Sequence, residues 1–213
     1  MSKKGIRFLL YFVGLLILAL GLTLNTKANL GVSPIISVPY SISQITGYNF
    51  GDLTFVIYAI FVMVQIAIHV KLKKNKKIMS DLLQLPLSLV FTRLLNIFSA
   101  YILASQNLGV RLIVLAFAII CTGVGAAMSL SMQLVPNPGD GIVQAMAERF
   151  NKSVGLTKNL FDCLNLCITL CISLFIAHRI VGVGIGTVVA VLGVGRVIAL
   201  YHHIFGFKIK DLI

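Results

Sequence analysis

Six apolar runs, each long enough to cross a bilayer, constrain this 213-residue chain more than any other feature. They fall at about 6–25, 53–70, 78–103, 110–133, 156–177 and 180–204. Crossing about 30 Å of hydrocarbon takes roughly 20 helical residues, and with no water there the backbone must satisfy its own polar groups, as a helix does. Composition agrees, with 58% hydrophobic and 11% charged residues and a mean hydropathy of +1.00, values that exclude a soluble core. The first run follows a basic start, as a signal peptide does. It is too long for such a core and has no matching cleavage signal, so it is read as a span.

The charges fall between the runs. The formal net charge of +12 suggests nucleic acid at first sight, but the basic residues sit in short gaps where they orient a membrane protein. Five lysines in Lys71–Lys77 place that loop in the cytoplasm, and alternation then puts both termini there. On this reading 13 of the 18 basic residues are cytoplasmic, Lys27, Arg111 and Arg179 are external, and Arg93 and Arg196 lie within spans.

The stretch between the first two runs occurs twice. Gly21 to Gly51 returns 104 residues later as Gly125 to Gly155, with Leu30 on Leu134 and Pro34 on Pro138 and no gap. Four identities are few, but each copy leaves an apolar span, breaks at proline, offers a helix-sized segment and closes on glycine before the next span. The expectation is an all-α membrane protein, a single integral domain over 1–213. Its six transmembrane helices form two inverted three-helix repeats, about 6–103 and 110–204, each with a proline-broken short helix, 34–45 and 139–150. A three-span unit flips when repeated, the arrangement of many secondary transporters. Whether the short helices re-enter the bilayer or lie flat at its surface stays open here.

Non-helical backbone at membrane depth is tolerated where protein or a wet cavity satisfies it, so the proline breaks mark candidate sites. Asp140 is placed to cap the second short helix, with Ser33 before Pro34 in the first. Arg93 and Arg196, 103 residues apart, each lie past the middle of a span, where an unpaired arginine costs about 2.5 to 3.5 kcal/mol. Both are therefore expected to face the interior, as ligand contacts or helix ties, with Asp162 at a depth that suits Arg196. Asn29, Asn137, Gln84 and Thr187 complete the candidate lining. His69, His202 and His203 read as interfacial. The glycines from Gly182 to Gly186 suit close helix packing. Cys163, Cys167 and Cys171 form a helical stripe with no histidine or acid in register, so no metal is expected. Neither a catalytic triad nor paired carboxylates stand out, so neither an enzyme nor a cofactor is expected.

Gly21 to Pro34, Thr46-Gly47 to Gly51, Asn137 to Gly141, Lys158-Asn159 with Asp162, and Gly184 to Thr187 running on to Arg196 resemble the bacterial YczE/YyaS/YitT-like integral membrane proteins. That resemblance spans nearly the whole chain and implies a multi-pass bacterial inner-membrane protein, sometimes described as a permease. The leading expectation is a small permease with a polar cavity near the midplane for a small anionic or zwitterionic solute. Its partners would be the lipid bilayer and that solute, with no nucleic acid and with a homo-oligomer left open. The alternatives are a scaffold or sensor subunit that binds another protein and, ranked last, a lipid-modifying enzyme.

Overall fold

The computed structural model describes residues 3–210, with side chains through Gly206, so those of Lys208 and Lys210 lie outside the described residues. Among the described residues there are eight helices and no strands: α1 (Lys3–Lys27), α2 (Pro34–Thr46), α3 (Phe50–Lys71), α4 (Asn75–Tyr101), α5 (Leu108–Ser131), α6 (Pro138–Phe150), α7 (Val154–Ala177) and α8 (Ile185–Lys210). Six of them, all but α2 and α6, are long and apolar enough to cross a membrane. The starts are set by local chemistry. Asn49, Asn107, Asn137 and Ser153 each accept a bond from a first-turn backbone N–H, the usual N-cap function of short polar side chains. Pro34 and Pro138 open the two short helices, where a missing N–H costs nothing.

The helices fall into two compact units. The first holds residues 1–33, 94–134 and 182–213, and so is built on α1, α5, α8 and the end of α4. Within it α1 and α5 run antiparallel at backbone contact. A β-carbon on Gly21 would stand 2.4 Å from the Thr122 nitrogen, and one on Gly125 would stand 2.4 Å from the Leu18 nitrogen. Small residues that let helix backbones touch are how helices associate in lipid. Each end of this pair is tied by an arginine. Arg7 donates to the Met132 carbonyl at 2.7 Å, and Arg111 donates through Nε to the Ala28 carbonyl at 2.8 Å and through its other arm to that of Asn29. Both arginines thereby satisfy carbonyls that a helix end leaves open. On the other face of α5, Leu115 and Ile119 pack with Ala28 and Ala190.

The glycines at 182–186 do not form the helix-packing stripe expected of them. They meet the backbone after α1: Val32 donates to the Gly182 carbonyl at 2.9 Å and Gly186 donates to the Leu30 carbonyl at 2.6 Å. Gly31, at φ +107°, can pass because it has no side chain to strike Gly184 or Thr187.

The second unit holds residues 34–93 and 135–181. Here each short helix packs beside a long one of the other half. Ser37 and Ser41 of α2 bond Thr169 and Ser173 of α7 at 2.7 and 2.9 Å, while Gly141 of α6 lies against Gln65 of α3. The contacts place α2 parallel to α7 and α6 parallel to α3. Because α2 turns straight into α3, the short helices run in opposite directions, and they meet at their starts, where Ile35 fills the space a side chain on Gly139 would take. Gln65 is six residues from the end of α3, so α6 begins about 9 Å inside the lysine-rich end of the unit.

Candidate functional site

The polar residues of the second unit form two linked groups around the start of α6. In the first, Asn137 caps α6 by accepting the Gly139 N–H at 3.1 Å, and its side chain also bonds the buried Tyr58 hydroxyl. Asp140 sits in the first turn, not at the cap position its sequence context suggests; Asn137 takes that role because it immediately precedes Pro138. Asp140 faces Tyr58, Lys158 and Asp162. Asp162 is buried on α7 and pairs with Lys158 one turn earlier, at 3.2 Å. Phe91 stacks on Tyr58, Phe61 packs at its side, and Phe161 meets Phe61 edge-on, closing the apolar side.

A sliver of Asp140 stays accessible, but protein crowds its carboxyl closely enough that burial pushes it above the usual carboxylate range. Lys158 pulls it back down and Asp162 pushes it further up. Two carboxyl groups therefore share one ammonium.

The second group lies one to two turns nearer the lysine-rich end. Gln65 and Gln84 bond each other amide to amide, at 2.9 and 3.2 Å, and Gln65 also donates to the Pro138 carbonyl at 3.2 Å. Gln84 reaches Asp81, whose other oxygen lies 2.6 Å from His69 Nδ1. All four side chains are buried. At the surface beyond them Glu148 is clamped by Lys74 at 2.6 Å and by Lys77. Partial burial works against ionisation of Glu148, but the two lysines outweigh it and hold its carboxyl below the usual range.

The structure divides the nine sequence candidates. Gln84, Asn137, Asp140 and Asp162 come together in the second unit. Asn29, Ser33, Thr187 and Arg196 belong to the first. There the Ser33 N–H is taken by Asn25 Oδ1 at 2.6 Å, and the Thr187 hydroxyl accepts the Gly184 N–H at 3.2 Å. Asn29 is exposed in the left-handed region, at φ 51°, with its carbonyl held by Arg111. Neither mid-span arginine is an interior cation. Arg196 is exposed on α8, and Asp162, expected to meet it, is held by Lys158. Arg93 reaches Asp52 at 2.8 Å, with both side chains more than half exposed. Long arginine stems let the head group reach the span end while the helix stays apolar. Such an exposed pair contributes at most about 1 kcal/mol. Arg93→Met should therefore shift the thermal midpoint by no more than a few degrees in a detergent melt, and a collapse of the fold would restore the interior role.

His69, Asp81, Glu148 and Lys158 were not among the sequence candidates, and His69, in the last turn of α3, is buried against protein. For His69 and Asp81 the signal lies in the hairpin: α3 and α4 join through a short turn, so residues equally far from its centre, 65 with 84 and 69 with 81, face each other. The cysteines at 163, 167 and 171 are exposed on α7.

Six helices long and apolar enough to cross a bilayer make this a multi-pass membrane protein. Within that class the chain belongs to DUF6198, a family of unknown function whose model matches residues 5–203. No curated protein and no solved structure matches it.

Proposed function

We propose that this chain is a small permease of the bacterial inner membrane, its termini cytoplasmic on the charge bias, whose binding centre is Asp140 with Tyr58, Asn137, Lys158 and Asp162. The solute is small and carries an ammonium group, either alone or as a zwitterion. Asp140 carries the reading: a carboxyl crowded by protein at the start of an interrupted helix, beside a second carboxyl, with one lysine between them. An ionisable group within the span region is costly and marks a substrate path, and an excess of carboxylate calls for a cation. An anionic solute is favoured in the sequence by Arg93 together with the starts of the short helices, and Arg93, exposed and paired with Asp52, no longer supports it.

The reading also takes the two halves as inverted repeats, and what supports this is reciprocity at an offset of 104 residues. Arg7 with Met132 answers Arg111 with Ala28, Gly21 with Thr122 answers Gly125 with Leu18, and Ser37 with Thr169 answers Gly141 with Gln65. Ile35 and Gly139, themselves 104 apart, meet each other. Interrupted helices that begin at mid-depth from opposite ends are the arrangement of many secondary transporters.

The test is exchange in proteoliposomes, with labelled zwitterionic amino acids and primary amines set against dicarboxylates. Wild type should exchange an ammonium-bearing solute. Asp140→Asn should lose about 10- to 100-fold, the worth of a hydrogen bond to a charged group. Arg93→Met should exchange normally. Dicarboxylate exchange, or an unimpaired Asp140→Asn, sinks the assignment. The same variant should not melt earlier. Asp140's raised folded value means its stability contribution is full in acid and is lost as pH rises through that value; asparagine, neutral throughout, should flatten that loss.

A further inference from the structure

We propose that His69 is a proton-binding site that couples movement of the solute to a proton gradient, a proposal that rests on the transport reading above. The His69 side chain is 6% exposed, and its Nδ1 lies 2.6 Å from Asp81 Oδ2. A carboxylate can only accept, so Nδ1 carries the hydrogen and a neutral ring leaves Nε2 as a bare lone pair. Nε2 is buried without a hydrogen-bond partner. The group it faces, 4.0 Å away, is Glu148 Oε2, a second acceptor. A buried lone pair facing a second acceptor is unfavourable. A proton on Nε2 turns the same geometry into an ammonium-like N–H aimed at a carboxylate, and Asp81, His69 and Glu148 then bridge α4, α3 and α6.

The surrounding charges set up a competition. Asp81 faces the ring from α4 and Glu148 faces it from α6. Lys74 of the connecting turn holds the same Glu148 oxygen at 2.6 Å, and Lys77 at the start of α4 holds the other. Short helix α2, also packed against α3, contributes no Asp, Glu, Lys, Arg or His. The proton comes from water on the Lys74–Lys77 side and binds Nε2 with no other covalent bond made or broken; coupling then requires that it leave the same atom toward the opposite side once the solute site has changed the side to which it opens. Its arrival shifts Glu148 from Lys74 toward the ring. Glu148 ends the helix that Asp140 begins, and the Gln65–Gln84 pair joins Asp81 to the Pro138 carbonyl at the start of that helix. Protonation at His69 is therefore felt at both ends of α6. Chains of histidine, acid and amide inside a span region are a recurring form of proton path.

Two measurements test this on the full chain. In nanodiscs, ring-nitrogen-labelled protein with His178, His202 and His203 replaced by glutamine reports His69 alone. On acidification its ring should become doubly protonated. At equal pH Glu148→Gln should lower the protonated-to-neutral ratio about tenfold, since an opposite charge at this range favours the charged form by about that much. An equal ratio in both proteins, or a ring whose bare nitrogen is Nδ1, overturns the proton site. In proteoliposomes His69→Gln should still exchange solute at equal pH on the two sides while losing at least about tenfold in accumulation driven by a pH gradient. Wild type that exchanges but never accumulates overturns the coupling alone. Wild type that exchanges nothing overturns the transport reading and the coupling with it, while the spectra still decide the proton site.

Discussion

Gly125→Val is expected to lower the thermal midpoint by about 6–12 °C, the shift that about 3 kcal/mol produces in a chain of this size. A β-carbon there would stand 2.4 Å from the Leu18 nitrogen and 2.7 Å from the Gly14 carbonyl oxygen. Both are backbone, so nothing can swing aside, and α1 and α5 must separate along their whole seam. Overpacking a core commonly costs 1–3 kcal/mol because side chains yield; here they cannot, which puts the cost at or above the top of that range. Gly195→Val, at a position with nothing within 4 Å, serves as the control for glycine replacement itself. A Gly125→Val melt matching the control would mean that the seam is not what holds this unit together.

Gly141→Ala should cost about 2–3 kcal/mol and slow solute exchange, for a different reason. Its new methyl would stand 2.4 Å from Gln65 Oε1 and 2.9 Å from Gln84 Nε2. These are the ends of flexible side chains, yet they are pinned by their mutual bonds and by the Pro138 carbonyl. To make room, an amide must give up a partner while still buried, which costs about 1–3 kcal/mol per stranded group. Removing that group should restore much of the loss. Gly141→Ala combined with Gln65→Ala is expected to show an interaction energy of at least about 1 kcal/mol in a double-mutant cycle. Simple additivity would show that the amide pair does not set the position of α6.

The spans were legible because lipid forces a long apolar run to be a helix, and their ends shift by only a few residues between sequence and structure. Pro34 and Pro138 mark the starts of the short helices for an equally local reason, the missing N–H. The site was legible only in part. Asn137 and Asp140 lie at the break and Asp162 on the neighbouring α7, and the sequence singles out all three. His69 and Asp81 were missed because the lysine run reads as a loop with an interfacial histidine beside it, whereas α4 already begins at Asn75 and folds Asp81 back onto α3. The arginines misled in the opposite direction. Mid-span depth marked Arg93 and Arg196, while Arg7 and Arg111, the two that tie carbonyls of the opposite half, looked like ordinary flanking charges. Depth along one helix does not tell which way a long side chain reaches; the 104-residue spacing of Arg7 and Arg111 does carry that information.

Three close seams each join a helix from the first hundred residues to one made later: α1 to α5, α2 to α7, α3 to α6. During synthesis the early helices therefore enter the bilayer with their glycine and serine faces uncovered. Until α5, α6 and α7 arrive, lipid or a chaperone must cover those faces. A ribosome that stalls past Tyr101 leaves in the membrane a set of spans whose intended neighbours have yet to be translated, and quality control can recognise such an orphan by the polar groups it still shows.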